Sequence, residues 1–137
     1  MSGENVEIVR DAFDAFMRDD IEAVLRLCDE NILITQPREL PGVSQQQRGH
    51  DGVLEAFRIW PEQWDDYRIE ILRMAELGDH IVVTSRTHGR GKASGVEVEM
   101  DFSFVFSVRA EKIVEMKIFM REDQALEAAG LSEHGRG

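Results

Sequence analysis

From Asp66 onward the apolar residues stop recurring every three or four positions and begin to alternate with polar ones. That change of period divides the chain into two kinds of structure. A period near 3.6 lays one apolar stripe along a helix, whereas a period of 2 sends successive side chains to opposite faces of a strand. Upstream of the change, Val6, Val9, Phe13 and Phe16 are spaced as the stripe of an amphipathic helix. Asp19 and Glu22 are spaced as a capping box that opens a second helix, and this helix buries Ile21, Val24, Leu25 and Cys28. Only a tight turn fits between the two, so they form a helical hairpin. Residues 32–35 read as a short strand, stopped by Pro37 and Pro41. The polar stretch 44–48 leads through Gly49 to a third helix, with Asp51 as its cap and Val53, Leu54, Phe57 and Trp60 as its apolar stripe. Pro61 has no backbone donor and clashes with the preceding turn, so that helix kinks or restarts there.

Downstream, four alternating segments at 67–77, 81–88, 96–109 and 113–120 are joined by Gly78-Asp79, the Gly-rich stretch 89–95 and Ala110-Glu111. Links this short make neighbouring strands antiparallel, a meander. Residues 123–129 read as a closing helix with Gly130 just past its end. Helices first and strands after is the order of an α+β domain, its helices packed on one face of the sheet. On the longest strand Val96, Val98, Met100, Phe102, Phe104, Phe106 and Val108 share one face, opposite Glu97, Glu99, Asp101, Ser103, Val105 and Ser107. The aromatic face must look at the helices. On the last strand Val114, Met116, Ile118 and Met120 do the same. An interior of Phe and Met is either a close-packed core or, because Met adapts its shape, the lining of an apolar pocket. Whether the opposite face meets a second copy of the chain is left open.

A chain of 137 residues accommodates one domain, here 1–137 with an ordered core of about 5–131. Its net charge of −11 excludes the phosphates of nucleic acid and anionic membrane surfaces as natural partners. Residues 1–68 carry 15 Asp and Glu against 7 Arg, and residues 69–137 carry 12 against 9 Lys and Arg, so the acidic excess is a solvated helical surface. No apolar run approaches the roughly 20 residues that span a bilayer. The charged N-terminus lacks the apolar stretch of a signal peptide, and the single cysteine, Cys28, supports no disulfide framework. A buried, unreactive thiol in a reducing cytoplasm is the expectation. His50 and His80 have no ligand-spaced partners, so no metal is expected, and no other cofactor. Gly89-Arg90-Gly91-Lys92 lacks the first glycine of a phosphate loop, since Arg86 stands there, and a strand follows it; it is a hairpin loop.

The element order, together with RGHDGVLEAFRIW, GRGKASGVEVEM and EKIVEMKIFMREDQALEAAGL, resembles the SnoaL-like branch of the nuclear transport factor 2-like superfamily, from about Asn5 to Leu131. The resemblance implies a cone-shaped fold, with helices against a curved antiparallel sheet and a pocket between them, and homodimers formed through the outer sheet face. The superfamily includes polyketide cyclases, ketosteroid isomerase, limonene-epoxide hydrolase, dehydratases and members that only bind, so the fold by itself selects no activity. Where the isomerase has a basic aspartate before a proline, this chain has Gln36, and an amide cannot shuttle a proton. Ala12 stands at the place of its tyrosine. Asp101 matches its second aspartate, but with the parity of the outward face. The epoxide hydrolase's Arg-x-Asp pair falls at Arg86-Thr87-His88 and its further aspartate at Arg121.

These readings converge on a small apolar molecule, cyclic in the leading version, bound between helices and sheet. Phe13, Gln36, Trp60, Met100, Phe102, Phe104, Met116, Ile118, Met120 and Arg121 are the candidate binding residues. Trp60, Trp64 and Tyr67 cluster after Pro61, where they either roof the pocket mouth or join the core. Arg86 and His88, two apart on one strand and therefore on one face, are the candidate catalytic pair of a cofactor-free isomerase, cyclase or hydratase. His88 would be the base and Arg86 the holder of developing negative charge. The alternative is a non-catalytic binding or dimerisation module whose cavity is filled by Phe and Met.

Overall fold

The computed structural model describes residues 2–39, 45–59, 62 and 64–130. Trp60, Pro41 and Pro61 lie outside them. Helices α1 (Ser2–Met17) and α2 (Ile21–Leu27) form the expected hairpin. Its turn places Asp19 at φ 65°, in the left-handed region that Asp tolerates. The cap of α2 is Asp20, one residue later than the sequence spacing suggests: its Oδ1 accepts a hydrogen bond from the Ala23 N–H at 3.2 Å. Cys28 does not end α2. It opens strand β1 (Cys28–Thr35), its φ of −105° and ψ of 138° already extended. A three-residue strand β2 (Gln46–Arg48) lies in the polar stretch read as a connection. Helix α3 (Gly49–Ile59) begins directly after it, so Asp51 sits in its first turn and is not its cap. Its carboxylate there still complements the helix dipole. His50 ties the start of α3 to β1, its Nε2 lying 3.0 Å from the Cys28 carbonyl. A carbonyl only accepts, so Nε2 is the protonated nitrogen of that ring.

The meander follows as expected: β3 (Trp64–Leu77), β4 (His80–Gly91), β5 (Glu97–Arg109) and β6 (Lys112–Phe119), each antiparallel to the next. Val96 falls just outside β5 and is 57% exposed, so the apolar face of that strand starts later than its alternation indicates. Helix α4 (Glu122–Ala128) closes the order. The six strands make one open sheet, ordered β2-β1-β6-β5-β4-β3. β1 pairs β6 in parallel, with Ile34 opposite Met116, and β2 runs antiparallel to β1.

Helices cover the inner face of the sheet and part of its outer face. On the inner face Phe104 and Phe106 of β5 meet α1, where the Phe13 ring lies edge-on to Phe104 at 5.4 Å and to Phe106 at 5.7 Å, and Phe102 joins the same core. Val9, Ile32, Ile34, Ile81, Val83 and Ile113 complete this core. On the outer face Val82 and Val105 pack under Ala125 of α4, with Leu77 and Phe119 beside them. Val105, and Ser103 at 2% exposure, are thus already buried within the chain and are not available to a second copy. Glu122, in the first turn of α4, fastens that helix by accepting from Thr84 Oγ1 at 2.6 Å and from Arg73 Nη2 at 2.8 Å.

Candidate functional site

Between α1, α3 and the inner sheet face lies a cavity of about 140 Å³. α1 contributes Ala12, Phe13 and Phe16, and α3 contributes Val53, Ala56 and Phe57. The sheet contributes its alternate inward residues, from Ile34 on β1 and Met116 and Ile118 on β6 to Phe104 on β5. Phe16 joins three elements, its ring 4.3 Å from Phe57 of α3 and 5.8 Å from Tyr67 of β3. No charged side chain is among the described residues that line it.

The polar groups of the wall are few and neutral. At one sheet edge Gln36, 4% exposed, donates through Nε2 to Gln47 Oε1 at 2.9 Å, and its carbonyl accepts from Gln45 Nε2 at 2.8 Å. Near the opposite edge Tyr67 of β3 and Thr87 of β4 both line the cavity, the Thr87 hydroxyl near enough to the phenol to favour its ionised form. Burial pushes the Tyr67 phenol well above its usual range, and the Thr87 hydrogen bond offsets this only in part. Cys28 also reaches the wall. Burial pushes its thiol up to about 11, against a smaller opposing effect of the Lys112 charge, so it is protonated at neutral pH.

The strand end around Tyr67 is bent by an extra residue. Asp65 pairs with Arg90 and Arg68 with His88, so β3 carries one more residue than β4 in between, and Asp66 there takes φ 54°. An Arg90–Asp66 ion pair spans the bulge. A one-residue bulge reverses the parity of everything before it. Trp64 consequently lies on the same inner side as Tyr67, flat against Gly89, where an added Cβ would come within 3.2 Å of it. The indole Nε1 is buried without a hydrogen-bond partner among the described residues.

Of the candidate binding residues, Phe13, Gln36, Phe102, Phe104, Met116 and Ile118 line the cavity. Met100 and Met120 pack against the core beside it without lining it. Arg121 is exposed at the start of α4, paired with Asp123 at 2.8 Å, and has no part in the wall. Trp60 lies outside the described residues.

Arg86 and His88 do share a face, but it is the outer one. Arg86 Nε donates to Asp101 Oδ1 at 2.8 Å, and that hydrogen bond holds the Asp101 carboxyl below its ordinary range. The His88 ring lies between two carboxylates, its Nε2 3.0 Å from Glu70 and its Nδ1 3.2 Å from Glu99. A polar pair reaching into the pocket is therefore replaced by a ladder of charged and polar side chains, paired with one another, on the far side of the sheet. The residue between them, Thr87, has the inward parity. Asp101 is outward, as its parity indicates. Among the described residues no three His, Cys, Asp or Glu are grouped to hold a metal ion, and no helix is long and apolar enough to cross a membrane.

The family model described as the SnoaL-like domain matches residues 9–116. Solved structures share the fold over nearly the whole chain. An NTF2-like protein from Burkholderia thailandensis is 26% identical, with a TM-score of 0.77 over 89% of this chain and 96% of that one. An NTF2-like protein of unknown function from Burkholderia pseudomallei is 22% identical, with a TM-score of 0.78 over 90% and 95%. TerC, co-crystallised with polyporic acid, is 21% identical, with a TM-score of 0.77 over 93% and 98%. No curated protein matches.

Proposed function

The chain belongs to the SnoaL-like domain family, and on that footing we propose that its cavity binds a small, uncharged, largely apolar ring compound. The observation that carries this reading is the cavity itself: about 140 Å³, walled by aromatic and aliphatic side chains with no charged group among them. An engineered apolar cavity of ~150 Å³ takes up benzene, so the volume suits a single six-membered ring. An ionic ligand would lose its hydration here and gain no counter-charge. A ligand role also accords with TerC, which was co-crystallised with polyporic acid.

General-base catalysis is not supported by this wall. Gln36 cannot take a proton, and the Tyr67 phenol and Cys28 thiol both hold theirs through neutral pH. Binding, with any chemistry confined to hydrogen-bond donation and the shape of the cavity, is the reading we adopt. A cytoplasmic setting belongs to it, one in which the buried Cys28 thiol stays reduced. So does a homodimer through the part of the outer face that α4 leaves uncovered, where Glu99 and Asp101 are exposed.

Titration calorimetry with toluene, methylenecyclohexane and cyclohexanone, alongside a charged control, cyclohexanecarboxylate, tests the proposal. At least one neutral ring binds with a dissociation constant in the millimolar range or tighter, and the carboxylate binds at least tenfold more weakly. No binding of any neutral ring, or a preference for the carboxylate, overturns it.

A further inference from the structure

The hydroxyl pair on β3 and β4 says more about the ligand than the apolar wall does. Tyr67 and Thr87 come from adjacent strands, Thr87 paired directly with Ile69, two residues after Tyr67, and both line the cavity. The other amide-bearing polar spot, at Gln36, is tied into a network of three glutamines that belongs to the β1–β2 edge. Cys28 is a weak donor at best. The hydroxyl pair is thus the strongest directional feature in the wall.

A hydroxyl carries one proton and two lone pairs. When two hydroxyls bond to each other, one proton is spent between them and the other remains to be given away. In the arrangement where Thr87 donates to the Tyr67 oxygen, the remaining proton is that of the phenol. Its ring is held edge-on against Phe16, with 5.8 Å between the centroids, so the donor is fixed in direction before any ligand arrives. The backbone is fixed too. The bulge at Asp66 is spanned by the ion pair to Arg90, and the strand end that carries Tyr67 is clamped on the side away from the cavity.

We propose that Tyr67, seconded by Thr87, is the specificity-determining residue of this pocket: its phenol O–H donates a hydrogen bond to a neutral oxygen acceptor, a ketone-type carbonyl, on a ring-sized ligand. The inference rests on the cavity being a ligand site and adds the functional group that the site selects. A carbonyl accepts without donating, which matches a site that offers one proton. A carboxylate would accept as well, but among the described residues no cation lines the wall to hold its charge. A hydrocarbon of the same shape would leave the hydroxyl pair without its last partner and so bind less well. The elevated proton affinity of the phenol, caused by burial, keeps it a donor over the whole neutral range.

The test compares cyclohexanone with methylenecyclohexane, which has the same outline and replaces C=O by C=CH2, in calorimetric titrations of the full chain and of Tyr67→Phe. The native protein prefers cyclohexanone by about tenfold, the worth of one hydrogen bond. Tyr67→Phe removes only the hydroxyl, so it brings cyclohexanone down to the level of methylenecyclohexane and leaves the hydrocarbon's affinity unchanged. Thr87→Val lowers the preference in the same direction by less. Equal affinities in the native protein, or a preference that survives in Tyr67→Phe, overturn the assignment while leaving the apolar pocket standing. If neither ring binds, the pocket reading and this inference fall together.

Discussion

At the scale of single residues, what decides a role here is the face of the sheet on which a side chain emerges. Arg86 and His88 have the chemistry of a site and Thr87 does not, yet Thr87 is the one that borders the cavity. Alternation alone was unable to rank them, because β4 is apolar on both faces: Val83 packs into the main core and Val82 under α4. A strand covered on both sides loses the polar rhythm that marks its outside. The Phe ladder of β5 was legible because its opposite positions carry Glu97, Glu99 and Asp101. Tyr67 was half legible: its place near the pocket mouth was readable, its partnership with Thr87 was not. Cys28 was legible as a buried thiol and misplaced as a helical one, since a single apolar residue at a helix–strand junction satisfies either period. Its burial has a measurable consequence. The thiol is raised from 9.0 to about 11, so above pH 9 the unfolded chain ionises there before the folded one does. Unfolding then releases a proton, and stability that is fully present below pH 9 declines toward pH 11 by up to about 2 kcal/mol. Chemical denaturation at pH 8, 10 and 11 reads this directly. Cys28→Ala flattens the decline; an equally steep fall in that variant means that other groups cause it.

At the scale of elements, the helices and the four meander strands were readable because each is long enough for its period to repeat. The β1–β2 edge was not. β2 has three residues, all of them polar or charged, and its Gln47 is buried by bonding to Gln36 instead of by being apolar. The parallel pairing of β1 with β6 joins segments at opposite ends of the chain, and no local signal encodes it. Helix α4 illustrates how a short element is kept in place. Seven residues are too few to be helical alone, so its stability comes from packing and from Glu122. The Thr84 hydrogen bond, and after it the one from Arg73, hold the Glu122 carboxyl below its usual 4.5. A carboxyl lowered in this way contributes stability that is present above pH 4.5 and is lost as the pH falls through its folded value. Hydrogen exchange therefore finds α4 losing protection selectively on acidification, while β5 stays closed. Glu122→Ala produces the same loss at pH 7 and leaves the buried Thr84 hydroxyl without its acceptor, at a cost of about 1–3 kcal/mol. Unchanged α4 protection in that variant would show that packing of Ala125 and Leu126 suffices.

At the scale of the whole molecule, the cavity leaves apolar side chains of the core without a full set of neighbours. Interiors pack with few voids larger than a water molecule, and unfilled volume is destabilising by roughly 24 cal/mol per Å³. The charge distribution does nothing to offset it, because the acidic excess lies on the helical surface and the wall is neutral. A ligand of the proposed class would supply the missing contacts, and its binding would raise stability with its concentration. Filling the space from within has to act in the same way. Ala56 borders the cavity from α3. Ala56→Leu puts three extra carbons into the void on a helix that already favours Leu. The variant melts a few degrees higher than the native chain, and cyclohexanone no longer shifts its melting temperature. A lower melting temperature means that the wall closes on itself when empty and that the new side chain overpacks it. A higher one with the ligand shift intact means that the ligand sits elsewhere. Only the combination of a gain in stability and a loss of binding identifies the space beneath α1 and α3 as what this fold holds open for its ligand.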